Sequence, residues 1–295
     1  MAALRVFGTV GKATTRIMVD AIVHSVGAGL PADVLVLLSQ DDEGHQALAG
    51  LDEPSRIVVN ADAVSTSSLP ASAVTFGLSR TAALSASDLD ATMDGTVFTL
   101  IADGIQRQVH LKVLGEHQVT NALAALAAAR ACDIPLDGAI AALEKLDTLG
   151  RARMERLQAA DDIIVINDAV SAGPLSVAAA LKALAQISAG RRSVAVLGEL
   201  ASGAEDSQAA HDRIGRLIVR LNVKKLVVVG HAARHIHNAA GLEGSWDGES
   251  VLVDTPGEAY DLLRDELRNQ DVVLVKASEG SGLDSLADRL AGVAR

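Results

Sequence analysis

Leu-Gly-Glu-His-Gln-Val-Thr-Asn-Ala-Leu-Ala-Ala-Leu-Ala-Ala-Ala, residues 114–129, is the stretch on which the reading of this chain turns. A polar, glycine-containing turn feeds an alanine-rich run. Gly115 permits the turn, and Thr120 or Asn121 is a candidate helix cap. Ala and Leu then give strong helix propensity and a small-residue face for close packing. A polar loop before a buried helix is common, so by itself the stretch leaves a plain structural reading open. Two later stretches bear on it. One is Val-Ile-Asn-Asp-Ala-Val-Ser-Ala-Gly-Pro-Leu-Ser, residues 165–176. The other is Val-Ala-Val-Leu-Gly-Glu-Leu, residues 194–200, with His211 and Gly215 beyond it.

Composition narrows the field. The 295 residues are 49% hydrophobic, yet include only three Phe, one Trp and one Tyr. A core of Ala, Val, Leu and Ile suits helices packed on parallel strands, and the length suffices for two domains. A net charge of −11 argues against a nucleic-acid surface, which needs clustered Lys and Arg. The single cysteine, Cys132, excludes an internal disulfide and a multi-cysteine metal site, and reads as a small buried residue at a helix end. No apolar run approaches the ~20 residues that span a bilayer. The N-terminus has no signal-peptide pattern. A cytoplasmic protein without nucleic-acid or membrane partners is expected.

Working outward, residues 4–7 form a short apolar strand, followed by Gly8-Thr9-Val10-Gly11-Lys12-Ala13-Thr14-Thr15 and a helix to about His24. Strand, glycine turn, lysine, hydroxyl residues and helix is the arrangement of a phosphate-binding loop. The generic spacing would put a glycine where Val6 stands. Residues 34–38 are an apolar run of parallel-strand type, and residues 73–77 another short strand. Asp94-Gly95 and Asp103-Gly104 are hairpin signals, so residues 96–101 should pair with 106–111 in an antiparallel meander. A helix at about 136–146 and a linker near 149–153 follow. Beyond the linker, strands at 163–166, 193–197, 225–229 and 272–275 alternate with helices at 175–187, 207–221, 232–240 and 256–268. Such alternation implies βαβ crossovers and a mostly parallel sheet.

Taken in order, these stretches resemble the Mur ligases, ATP-dependent amide-forming enzymes of peptidoglycan precursor synthesis. The likeness is nearest to the members that add D-alanyl-D-alanine. Their pattern runs Gly-x-His-Asn/Gln-Val-x-Asn-Ala-Leu-Ala-Ala, then Asn/Asp-Asp-Ala-Tyr-Asn-Ala-Asn-Pro, then Leu-Gly-Glu/Asp-Met. The glycine turn fits the Mur loop Gly-Thr/Ser-x-Gly-Lys-Thr-Thr/Ser, and residues 56–62, Arg-Ile-Val-Val-Asn-Ala-Asp, resemble Val-Leu-Asn-Ala-Asp-Asp. The resemblance implies an α/β protein. A truncated P-loop-like central, ATP-binding domain would occupy residues 1–150, and a Rossmann-like, mostly parallel C-terminal domain residues 151–295. The family's UDP-sugar-holding N-terminal domain and a block after Gly50-Leu51 carrying its metal loops would be missing.

The implied reaction phosphorylates the carboxylate of a UDP-linked muramoyl peptide with ATP, then joins it to D-alanyl-D-alanine. Residue by residue, the likeness makes Lys12 a phosphate contact shaped by Gly8 and Gly11, and puts Asn121, with His117 or Gln118, near the adenine. Arg153 would lie near the phosphates, Asp168 on the ribose hydroxyls, and His211 in the helix after the Gly-Glu-Leu turn, with Lys12 and His211 as catalytic candidates. Plainer alternatives stand beside these. Asp168 could cap a helix, His211 could cap or lie at a surface, and Arg153 could form a linker salt bridge.

Departures cluster where Mg²⁺ is expected. Ala13 replaces the first hydroxyl after the lysine, and Thr14 substitutes only if the loop shifts by one residue. Aligning Val36, Ser39, Gly44 and His45 with the family puts Leu37 where relatives have a metal-binding glutamate. Asp41, Asp42 and Glu43 read as a solvated loop. Val170, Ser171 and Gly173 replace a tyrosine and two asparagines, and Ser202-Gly203 replaces Glu-Leu-Gly. No metal ligand is assigned, and Mg²⁺ is expected only by resemblance. His231, His235 and His237 read as a helix surface rather than a metal set. A degenerate relative that binds nucleotide or a protein partner without catalysis is the alternative, and a truncated product without activity a third.

Overall fold

A computed structural model describes residues 3–27, 29–30, 32–39, 41, 43–44, 46, 56–65, 69–201, 206–244 and 246–293. Asp42, His45, Gly50, Leu51, Ser202 and Gly203, on which parts of the resemblance rest, lie outside the described residues. The chain forms two compact units, Met1–Leu149 and Gly150–Arg295.

In the first unit, β1 (Leu4–Phe7), α1 (Lys12–Ser25), β2 (Val34–Leu37), β3 (Arg56–Asn60), β4 (Val74–Gly77), β5 (Leu84–Thr92), β6 (Gly95–Ala102) and β7 (Ile105–Leu111) lead into α2 (His117–Ala131) and α3 (Leu136–Lys145). The seven strands lie in chain order in one sheet. β1 to β5 pair in parallel, and β5, β6 and β7 form an antiparallel meander. Thr96 sits opposite Leu111 and Ile101 opposite Gln106, as the turn signals predict. Asp103 (φ 53°) and Gly104 (φ 73°) are both left-handed, the conformation a two-residue primed turn demands. β2 is apolar and buried along its whole length because both sheet faces are covered. One face meets α1 and α2 through Val34, Val36, Val58, Met18, Ile22 and Leu126. The other buries Leu35, Leu37, Ile57, Val59 and Val64.

The deciding stretch does form a helix, but with an earlier start. Neither Thr120 nor Asn121 caps it: α2 begins at His117, after Gly115 turns the chain at φ 99°. Short-range bonds from Gln118 N to Gly115 O and from Val119 N to Glu116 O tighten its first turn. Residues 121–129 are buried on every side, which small alanines permit. Cys132 is buried at the C-terminal cap of α2.

The second unit contains β8 (Glu155–Gln158), β9 (Ile164–Asp168), α4 (Pro174–Ser188), β10 (Ser193–Leu197), α5 (Ser207–Arg220), β11 (Lys225–Val229), α6 (Arg234–Gly241), β12 (Glu249–Val253), α7 (Pro256–Glu266), β13 (Val272–Lys276) and α8 (Leu283–Leu290). The sheet order is β12-β11-β10-β13-β9-β8, parallel except at β8. β13 therefore returns between β9 and β10, which makes a topological switch point at the carboxyl ends of these three strands. Ligands of open α/β sheets bind there. β8, β12 and α8 escape the sequence reading, since β8 and β12 mix polar and apolar residues and α8 is only eight residues long. A 3-10 turn, His231–Ala233, precedes α6, which starts later than predicted. Among the described residues no helix is long and apolar enough to cross a membrane.

Candidate functional site

In the first unit the glycine turn follows β1, and its last residue, Gly11, precedes α1 at φ 91°. A Cβ on Gly8 would lie 2.7 Å from Leu38 Cβ, and one on Gly11 would lie 2.3 Å from Asn121 Oδ1. The loop is thus pressed between the end of β2 and the first turns of α2, and only glycine fits at either contact. Thr9 N donates to Ser39 Oγ at 2.9 Å. Asn60 at the end of β3 donates to Leu38 O at 2.9 Å, so three successive strand ends support the loop. Lys12 Nζ donates to Gly8 O at 2.5 Å, curling over the turn it would serve.

α2 presents a polar string to this loop. Asn121 Nδ2 donates to Gln118 Oε1 at 2.9 Å, and Gln118 Nε2 meets His117 Nε2 at 3.0 Å. Asn121 and Gln118 are buried among apolar neighbours, where polar side chains need partners. The three residues expected near an adenine therefore lie together, with Asn121 against the glycine turn.

The cation positions implied by resemblance offer no oxygen. Leu37 is 3% exposed and packs with Leu35, Ile57 and Val59 on the sheet face away from α1. Ala13 is an exposed methyl. The helix starts at Lys12, with Thr14 half-buried in its first turn. Thr15 has the right chemistry but points inward: its side chain is fully buried, and its hydroxyl has no partner among the described residues. Magnesium wants several oxygen ligands, and these residues do not fit it. Asp41 instead accepts from Gly44 N at 2.7 Å, closing a local turn.

In the second unit, Asp168 ends β9 at the switch point. Its Oδ1 accepts from Met154 N at 3.1 Å, and its Oδ2 pairs with Lys276 Nζ at 2.7 Å. It does not cap α4, whose capping residue is Gly173. Arg153 is half-buried one residue before Met154, within a backbone run where Gly150, Ala152 and Met154 all have positive φ (91°, 54° and 50°). Two non-glycine residues in that region cost ~1–3 kcal/mol each and mark a segment held in place by its surroundings. The linker salt bridge belongs to Arg151, which reaches Asp284 at 3.1 Å and Asp288 at 2.9 Å; Arg153 makes none among the described residues.

His211 is 1% exposed. Its Nδ1 donates to Ser207 O at 2.6 Å, and its Nε2 accepts from Leu200 N at 3.2 Å. Both ring nitrogens are hydrogen-bonded, so the histidine fixes the turn after β10. A surface position for His211 is corrected by this burial. The other histidines are dispersed: His237 Nδ1 meets Ser250 Oγ at 2.7 Å, His235 faces Asp212 at 4.0 Å, and His231 is exposed in the 3-10 turn. The sequence reading missed Lys276, although a lysine closing the apolar run Val-Val-Leu-Val-Lys was a signal for it.

The sequence matches the family descriptions "Mur ligase middle domain" over residues 42–129 and "Mur ligase, glutamate ligase domain" over residues 152–279. A UDP-N-acetylmuramoyl-tripeptide--D-alanyl-D-alanine ligase of Mycobacterium tuberculosis is 47% identical over 210 residues, 65% of this chain and 41% of the relative. The ligase of the same name from Bacillus subtilis is 28% identical over 69% of this chain and 44% of its own length. The chain thus spans about two fifths of the curated relatives it matches. Among solved structures, MurF from Acinetobacter baumannii superposes with a TM-score of 0.79 at 20% identity, covering 99% of this chain and 76% of that one. MurF ligase from Thermotoga maritima in complex with ADP gives 0.78 at 15% identity, covering 99% and 80%. These structural likenesses speak to the fold.

Proposed function

The chain belongs to the Mur ligase family, and from that premise we propose that it acts as an ATP-dependent ligase joining D-alanyl-D-alanine to a UDP-N-acetylmuramoyl-tripeptide. The observation that carries the proposal is the glycine turn of residues 8–11 with Lys12 behind it. A left-handed Gly11, braced by Asn121, presents backbone N–H groups and the α1 N-terminus to an anion. Lys12 would exchange its bond to Gly8 O for a phosphate oxygen. In the second unit, Asp168 would accept from the ribose hydroxyls, with Arg153 supplying positive charge toward the phosphates.

The tripeptide carboxylate oxygen would attack the γ-phosphorus, and ADP would leave. The amine of the dipeptide would then attack the acyl carbon and expel phosphate. This chain's contribution is to position and to stabilise charge. One observation favours a second reading, nucleotide binding without turnover: Leu37 and Ala13 leave the expected cation positions without oxygen. No step is therefore routed through Mg²⁺.

The test is ADP formation by the purified chain with UDP-N-acetylmuramoyl-tripeptide and D-alanyl-D-alanine, beside calorimetric ATP titrations with and without Mg²⁺. ADP formation that requires both substrates supports the ligase. ATP binding without turnover supports the second reading, and no ATP binding refutes both.

A further inference from the structure

We propose that Lys276 is a positioning residue that sets nucleotide sugar selectivity by holding Asp168 in the orientation that accepts the ribose diol. The inference rests on the reading of Asp168 given above, and it assigns a role to a residue outside that reading. Lys276 closes the apolar strand β13, in the crevice where β13 separates β9 from β10. It is 1% exposed, and its ammonium donates to Asp168 Oδ2 at 2.7 Å and to Ser171 O at 2.6 Å. A buried ammonium is retained only when well partnered. Here its partners are the end of β9 and the loop that leads into α4, so one side chain ties three carboxyl-edge segments together.

The consequence falls on Asp168. With Oδ2 on Lys276 and Oδ1 on Met154 N, both oxygens are fixed from the protein side, and the plane of the carboxylate is set. Each oxygen keeps a second lone pair. Asp168 remains partly exposed while Lys276 does not, so the open lone pairs are those that face outward. A carboxylate fixed in this way suits two adjacent hydroxyls, whereas one free to rotate binds a diol little better than water does. Ser171 contributes its carbonyl, which explains how a position departing from the family pattern still takes part.

The measurement is the affinity ratio of ADP to 2′,3′-dideoxy-ADP, by calorimetry on the full chain. The wild type should prefer ADP by about tenfold or more, the scale of one charged hydrogen bond. Asp168→Asn should reduce the preference to near unity. Lys276→Met should reduce it likewise while leaving tripolyphosphate affinity unchanged, and Lys12→Ala should weaken both nucleotides equally and keep the ratio. A merely structural lysine would not alter the ratio. If Asp168→Asn loses the preference and Lys276→Met keeps it, the inference is overturned and the Asp168 reading stands. No preference in the wild type overturns both. Should Lys276→Met fail to fold, the wild type decides by ¹⁵N-lysine NMR. The Lys276 ammonium signal should shift with ADP and stay in place with the dideoxy analogue, and equal behaviour with the two overturns the inference.

Discussion

Replacing Gly11 by alanine should destabilise the first unit by ~2–5 kcal/mol, from two separable sources. The backbone at φ 91° is left-handed, which costs a residue with a Cβ ~1–2 kcal/mol. The added methyl would also sit 2.3 Å from Asn121 Oδ1 and 3.3 Å from its Cγ, so the asparagine must move. Moving it strains the 2.9 Å bond to Gln118 inside a packed helix, an overpacking of ~1–3 kcal/mol. Against a domain stability of ~5–15 kcal/mol this is a large fraction. Trp246 and Tyr260, the only Trp and Tyr, both lie in the second unit, so fluorescence would miss the change. Far-UV circular dichroism in urea, with hydrogen exchange over residues 12–25, follows the correct unit. Asn121→Ala should rescue the steric part alone, giving a coupling of ~1–3 kcal/mol in the double-mutant cycle. Additive losses within about 0.5 kcal/mol would refute the contact.

Three further outcomes follow from the geometry. His211→Ala leaves the buried Leu200 N–H unpaired and should cost ~1–3 kcal/mol by Trp246 fluorescence, whereas a loss under about 0.5 kcal/mol would show the turn does not depend on it. Burial raises the Asp271 carboxyl above its ordinary value, with Arg268 N and Arg192 partly opposing the shift. Since the folded state then binds the proton more tightly than the unfolded state, this group's contribution to stability falls as pH rises through the raised value. The stability of wild type minus that of Asp271→Asn should therefore decrease as pH rises above about 4, the ordinary carboxylate value, and an increase would reverse the sign of the argument. Burial likewise raises the Cys132 thiol, so a disulfide reagent should label it only on unfolding; a native-state rate within about tenfold of an exposed thiol would contradict its burial.

Local chemistry made much of the architecture legible. The turn Asp103-Gly104 demanded left-handed residues, and the meander pairs in the predicted register. Apolar runs at β2, β10, β11 and β13 could hardly be anything but buried strands. Periodicity failed where it was weak, at β8 and β12, the two edge strands of the second sheet, which stay largely exposed or half-buried and so carry no continuous apolar run. It also misplaced the start of α2, because the turn at Gly115 and packing against the glycine loop outweighed the capping preference of Thr120 and Asn121.

The candidate site divides in the same way. By itself the sequence determined the family pattern, the glycine turn with its lysine, and the absence of oxygen donors at Ala13 and Leu37, because these depend only on which atoms each residue carries. Only the tertiary structure decided that Asn121 braces Gly11, that Lys276 clamps Asp168, and that both ring nitrogens of His211 are hydrogen-bonded. Those are contacts between residues far apart in the chain, and a side chain's role depends on which of its atoms remain unbonded once the strands have paired.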